Sequence, residues 1–199
     1  DIGYLQKGQS ADFIIVDNLT DFNVLETYIR GKKVASYGIS HIEKVECDVI
    51  NHFSLKPTRL SDYEIRGKEG KIRVIEAMDG ELITNEIHAS CKLKEGKIIS
   101  DPSQDILKLV VINRYRDAPI AKAFIKGFGL NQGAIASCIA HDSHNIIAVG
   151  VDDESLMNAV NAVIGNKGGI SVAVKNDVDS LALPIAGILS PKDGYKVAD

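Results

Sequence analysis

The sequence predicts a mixed α and β fold of the α+β kind, rich in strands and poor in helices. Three observations carry that expectation. Short runs with apolar alternation recur along the chain, as in KIRVIEAM from Lys71, and DILKLVVINRY from Asp105 reads as a further strand. One segment alone, after Asp152, has a clear helical period. Glycine-containing turns punctuate the runs and read as hairpins.

Taken in order, ADFIIVD (11–17) is an apolar strand, and LETYIRGKKVASYG (25–38) is a β-hairpin turning at Arg30-Gly31-Lys32. Three or four short strands cannot bury both faces alone, so this segment is expected to need partner strands from elsewhere. Residues 39–70 are polar and weakly periodic. They read as a linker or an irregular wrap, with a domain boundary near residue 50. From Lys71 the pattern sharpens into the KIRVIEAM strand, a long hairpin over ELITNEIHASCKLKEGKII turning near Glu95-Gly96, and the DILKLVVINRY strand. After APIAKAFIKGFGL come two apolar runs, AIASCIA and NIIAVGV, which favour strands. The helix follows, with Asp152 or Asp153 as its cap and Leu156, Ala159, Val160, Val163 and Ile164 on one face. Asn166 to Gly169 stop it, with a glycine placed for a left-handed cap. GISVAV is a last strand, and LALPIAGIL is an apolar tail interrupted by Pro184.

Composition narrows the function classes. The 199 residues are 45% apolar and 25% charged with a net charge of −4, an ordinary globular balance without a nucleic-acid footprint. Cys47, Cys91 and Cys138 are too few and scattered for a disulfide framework, so three reduced thiols in a cytoplasmic protein are expected. No apolar run reaches the ~18 residues a transmembrane helix requires, and no membrane partner is expected. The chain opens on DIGYLQKGQSADFIIVD without an initiator Met and is expected to be cut from something longer.

The most polar cluster between strand-like runs is His141, Asp142, Ser143, His144 and Asn145. On a helix, His141 and His144 would share a face and could hold a metal; on a strand they would point apart. Both bind one ion only if HDSH forms a turn, and no third ligand set stands nearby. Ser143 lacks the GxSxG elbow of a serine nucleophile. A pocket rim and a plain turn stabilised by Asx and Ser side chains remain as readings. Gly127, Gly129 and Gly133 in GFGLNQG have GxGxxxG spacing with no helix after them. They read as a tight turn with close backbone packing rather than a dinucleotide site. His41, His52 and His88 stand alone and read as surface or structural histidines.

The run GFGLNQGAIASCIAHDSHNIIAVGVDDESLMNAVNAVIGNKGGISVAV followed by LALPIAGILS resembles the carboxy-terminal domain of bacterial adenine deaminases, from Gly127 to Ser190. The opening GYLQKGQSADFIIVDNLTDFNVLETYIRGKKVA is similar to the strands that follow the barrel in amidohydrolases. The resemblance implies a partial amidohydrolase β-sandwich segment over 1–45 and the carboxy-terminal domain over 46–199. It implies a hydrolase that converts adenine to hypoxanthine and ammonia in purine salvage or catabolism, with two divalent metals, manganese or iron, in a (β/α)8 barrel. This sequence has no HxH pair and no room for the roughly 250 residues of a barrel, so no metal is expected in it and the chain alone is expected to be inactive. The motif positions carried over are Gly127, Gly129, Gly133, Ser143 and Asn145 as a substrate-pocket or interface loop, with His141, Asp142 and His144 as catalytic candidates. A homo-oligomer is expected. The alternative is a small-ligand-binding or oligomerisation module without a catalytic role.

Overall fold

The computed structural model describes residues 3–43, 45, 46 and 48–199. The chain divides into two compact units, 1–47 and 48–199. Among the described residues no helix is long and apolar enough to cross a membrane. Cys91 and Cys138 are free thiols, and Cys47 lies outside the described residues.

The first unit is a four-stranded antiparallel sheet of β1 (Phe13–Val16), β2 (Val24–Ile29), β3 (Lys32–Ser36) and β4 (Ile39–Ser40), in that order. Arg30 and Gly31, at φ 51° and 75°, make the two-residue turn whose twist matches the flanking strands. Phe13 stacks on its cross-strand partner Tyr28 with ring centroids 4.6 Å apart. Among the described residues, no member of the three hydrophobic clusters comes from this unit.

The second unit is built on an eight-stranded sheet. Its strands are β5 (Lys71–Ala77), β6 (Thr84–Ser90), β9 (Leu107–Ile112), β10 (Ala121–Lys126), β11 (Ala134–Ser137), β12 (Ile146–Gly150), β13 (Gly169–Val174) and β14 (Asp177–Ala182). A separate small hairpin pairs β7 (Lys92–Lys94) with β8 (Lys97–Ile99). The sheet order is β14-β13-β11-β12-β9-β10-β5-β6, antiparallel except where β10 meets β5. The long helix α1 (Asp153–Gly165) lies on one face, and a short helix α2 (Gly194–Ala198) closes the chain.

Helix α1 forms where its period places it. The Asp152 carboxylate caps it by accepting from the Ser155 amide at 2.8 Å. Leu156, Ala159, Val160, Val163 and Ile164 are all buried against the sheet. The sheet answers with small residues: Ala134, Ala136, Ala148 and Ala173 are buried in the same cluster, and Ser171 Oγ donates to the Ala159 carbonyl.

Two local expectations are corrected. The helix stops on Lys167, not a glycine, in the left-handed region at φ 58°, with Gly168 N–H donating to Val163 O and Lys167 N–H to Ile164 O. The glycines after it serve close approach instead: a Cβ on Gly168 would lie 2.3 Å from Gly187 Cα. The long hairpin over 81–99 is two pieces. Strand β6 pairs with β5 until Ser90 stands opposite Lys71, where β5 begins; Cys91 N–H still donates to Gly70 O, and the chain then turns back on itself as β7 and β8, with Ile98 N–H donating to Ile65 O.

Residues 48–63 are a wrap rather than a linker. Phe53 and Leu55 pack against the α1 cluster, and Tyr63, in a 3-10 turn over Leu60–Tyr63, is fully buried. Thr58 and Asn161 of α1 exchange hydrogen bonds at 2.8 to 3.1 Å.

Candidate functional site

Strands β11 and β12 are joined by the segment 138–145, which contains the polar cluster. The chain reverses there because two residues without glycine's freedom, Asp142 at φ 65° and His144 at φ 48°, adopt left-handed backbone. His144 N–H donates to Ala140 O at 2.8 Å and Ser143 N–H to His141 O at 3.0 Å, which closes the turn. Asp and His are among the non-glycine residues that enter this region most readily, and the same conformation serves the turn at Arg30 and the helix end at Lys167.

A second layer fixes the turn from below. The Tyr115 hydroxyl donates to the Ser143 carbonyl at 3.0 Å. Asn145 Oδ1 accepts from the Arg114 amide at 3.4 Å. Arg114 itself is only 4% exposed, and its guanidinium donates to Asn51 Oδ1, Tyr115 Oη and Ala186 O. It also lies over the Tyr115 ring at 4.6 Å and the Phe53 ring at 5.7 Å. Beside it, the buried Cys138 thiol donates to Gly187 O and accepts from Gly169 N–H. Burial pushes that thiol's pKa up, so it is a packed neutral group and not a nucleophile.

Above this layer the candidates separate. His141 and Asp142 side chains are 94% and 91% exposed and touch each other, Nδ1 to Oδ1, at 3.1 Å. His144 is half-buried, and its Nδ1 is buried without a hydrogen-bond partner among the described residues. One imidazole therefore stands in solvent while the other turns its Nδ1 inward, an arrangement that does not fit a shared metal ion. Among the described residues no three His, Cys, Asp or Glu side chains gather as ligands. What the turn can do is present an imidazole and a carboxylate, in contact with each other and open to solvent, to whatever approaches from outside.

Gly127, Gly129 and Gly133 are elsewhere. They precede β11, whereas the 141–145 turn follows it, so at least roughly 13 Å of strand separates the two groups. The Gly127 and Gly129 amides both donate to the Asp105 carboxylate at 2.7 Å. A Cβ at Gly133 would lie 2.5 Å from Ala173 O. The glycines thus make tight turns with close backbone packing, and the Gly127 and Gly129 amides are taken. Sequence reasoning missed Arg114, Tyr115 and Asn51, because one arginine in a polar stretch gives no sign of being buried.

Residues 81–199 match the family model of the adenine deaminase C-terminal domain, a span that contains the 141–145 turn and Arg114. The chain belongs to that family. Curated relatives agree. The adenine deaminase of Salinibacter ruber is 46% identical over 96% of this chain and 35% of its own length. That of Methanosarcina acetivorans is 47% identical over 99% of this chain and 37% of its own length. That of Sulfurovum is 44% identical over all of this chain and 36% of its own length. The chain thus spans little more than a third of the relatives it matches. The family match takes in β6 to β14 and the turn, while β1 to β5 and the 48–63 wrap lie before its first residue.

Proposed function

We propose that these residues are the carboxy-terminal part of an adenine deaminase, which hydrolyses adenine to hypoxanthine and ammonia. Water adds at C6 of the purine, the exocyclic C–N bond breaks, and the amine leaves as ammonia with a proton. A divalent metal, manganese or iron, supplies hydroxide near neutral pH in such chemistry. In this reading it belongs to an amidohydrolase barrel outside these residues, for which 1–47 contributes sandwich strands. The enzyme is cytoplasmic, acts in purine metabolism and assembles as a homo-oligomer.

The role of this chain's own residues is to hold the 141–145 turn at the approach to the substrate. The observation that carries this is the exposed His141–Asp142 pair, held in a turn whose Ser143 and Asn145 are braced by Tyr115 and Arg114. Neither side chain has a packing task. The test is to express the complete reading frame that encodes these residues, load it with manganese, and follow ammonia release and purine absorbance with adenine, guanine and cytosine. Adenine-selective release is expected. No release from adenine under any metal loading overturns the reading.

A further inference from the structure

On the face of the second unit's sheet away from α1, Leu107, Leu109, Ile125 and Val149 are buried in a cluster of their own, but toward β13 the same face is exposed and still apolar. On β13 the small residues Gly169, Ser171 and Ala173 face the helix, while Ile170, Val172 and Val174 face away, exposed by 39, 48 and 43%. The register extends the patch: Val172 stands opposite Ile135 of β11, Ile170 opposite Ser137, and Ser137 opposite Ile147 of β12, itself 37% exposed. An antiparallel sheet with a solvated side alternates polar outward, so this strand points its larger aliphatics the wrong way for water. Contiguous exposed aliphatics of this kind mark an interaction surface.

We propose that this face is where the barrel-bearing remainder of the enzyme docks, a statement that rests on the function proposed above. The matched relatives carry nearly two-thirds of their length beyond what this chain spans, and that length needs a surface to join. The rim of the patch is acidic: Asp177 and Asp179 of edge strand β14 stand opposite Val174 and Val172, and neither forms an ion pair among the described residues. The occupant therefore has an apolar centre and lysine or arginine at one edge. A second copy of this chain, with its net charge of −4, complements that rim poorly. Docking here also explains the site. Ser137 and Ile147 lie on this face at the base of the 138–145 segment, so a barrel seated on it meets the 141–145 turn.

The test uses the complete enzyme. Val172→Cys and, independently, Ile170→Cys are labelled with a maleimide and compared with Lys94→Cys, an exposed position on β7. At least tenfold slower labelling of V172C and I170C than of K94C is expected, unchanged on dilution until the enzyme is monomeric. p-Benzoylphenylalanine placed at position 172 should then cross-link within one chain to the barrel segment. Equal labelling rates overturn the proposal, as does protection lost on dilution, which assigns the face to a second copy, or a cross-link to residues 1–47. Ammonia release from adenine by the same variants reads the function separately: protection without turnover supports the docking and overturns only the assigned reaction.

Discussion

At the scale of single residues, the polar turn separates side chains that hold structure from side chains that do not. Asp142 is almost fully exposed, and His144 offers a half-buried ring whose Nδ1 has no hydrogen-bond partner among the described residues. In the complete enzyme, Asp142→Ala or His144→Ala should lower kcat/KM for adenine at least tenfold with metal content retained. Tenfold is about 1.4 kcal/mol of transition-state stabilisation, the size of one hydrogen bond to a charged group. Kinetics alongside metal analysis and thermal melts check it; full activity with a lowered Tm would make the turn purely structural. The glycines give a sharper contrast. Gly127→Ala puts a Cβ 2.4 Å from Ala77 O at φ 107°, whereas Gly129→Ala meets nothing within 4 Å at φ 66°. Urea unfolding should show a loss of about 3 kcal/mol or more for the first and about 1 kcal/mol for the second. Asp101 carries the clearest pH dependence. Hydrogen bonds from Ser103 and then Gln104 hold its pKa down from 3.8 to about 2, with Lys92 adding to them. A carboxylate depressed in the folded state stabilises above its unfolded pKa and stops doing so as pH falls through the folded one. Stability should therefore fall between about pH 4 and pH 2, and Asp101→Asn should flatten that fall while removing about 2 kcal/mol at pH 7.

At the scale of elements, α1 is held at its start by something other than its apolar stripe. Lys108 of β9 is 2% exposed, yet its ammonium donates to the Tyr63 carbonyl at 2.9 Å and pairs with Asp153 in the first helical turn. One cation thus ties the sheet, the 3-10 turn and the helix together. Lys108→Ala should cost about 3 kcal/mol in urea unfolding, because it strands a carboxylate and a carbonyl that the lysine satisfied. The helix itself was legible in the sequence, cap and buried face alike, because a 3.6-residue period and an Asp-x-x-Ser start are local signals. The hairpin at 81–99 divides for a reason that alternation does not record: the pattern continues through Ser90 and Cys91, and the break comes where β5, the strand just before β6, begins opposite Ser90. Lys108 inside DILKLVVINRY reads as solvent-facing by residue type, and nothing local discloses the carboxylate waiting for it.

At the scale of the whole molecule, fold class and the position of the polar turn could be read from the chain, but what surrounds the turn could not. Asn51, Arg114 and Ala186 converge across more than half the sequence, and no window of residues records such a meeting. Sheet order is similarly hidden. Most neighbours in the large sheet are joined by antiparallel ladders of four to seven residue pairs, but β5 meets β10 in parallel through only two, Ile75 with Ile125 and Glu76 with Lys126. That narrow seam has a consequence in time. Hairpins close over short loops, whereas the seam must wait for everything between β6 and β9 to be in place, and long closures are paid late in folding. The β5–β6 pair should therefore be the last part of the sheet to assemble and the first to leave. Truncating its buried Val74 to alanine should speed unfolding severalfold in stopped-flow traces while refolding keeps its rate, the kinetic mark of contacts absent from the transition state.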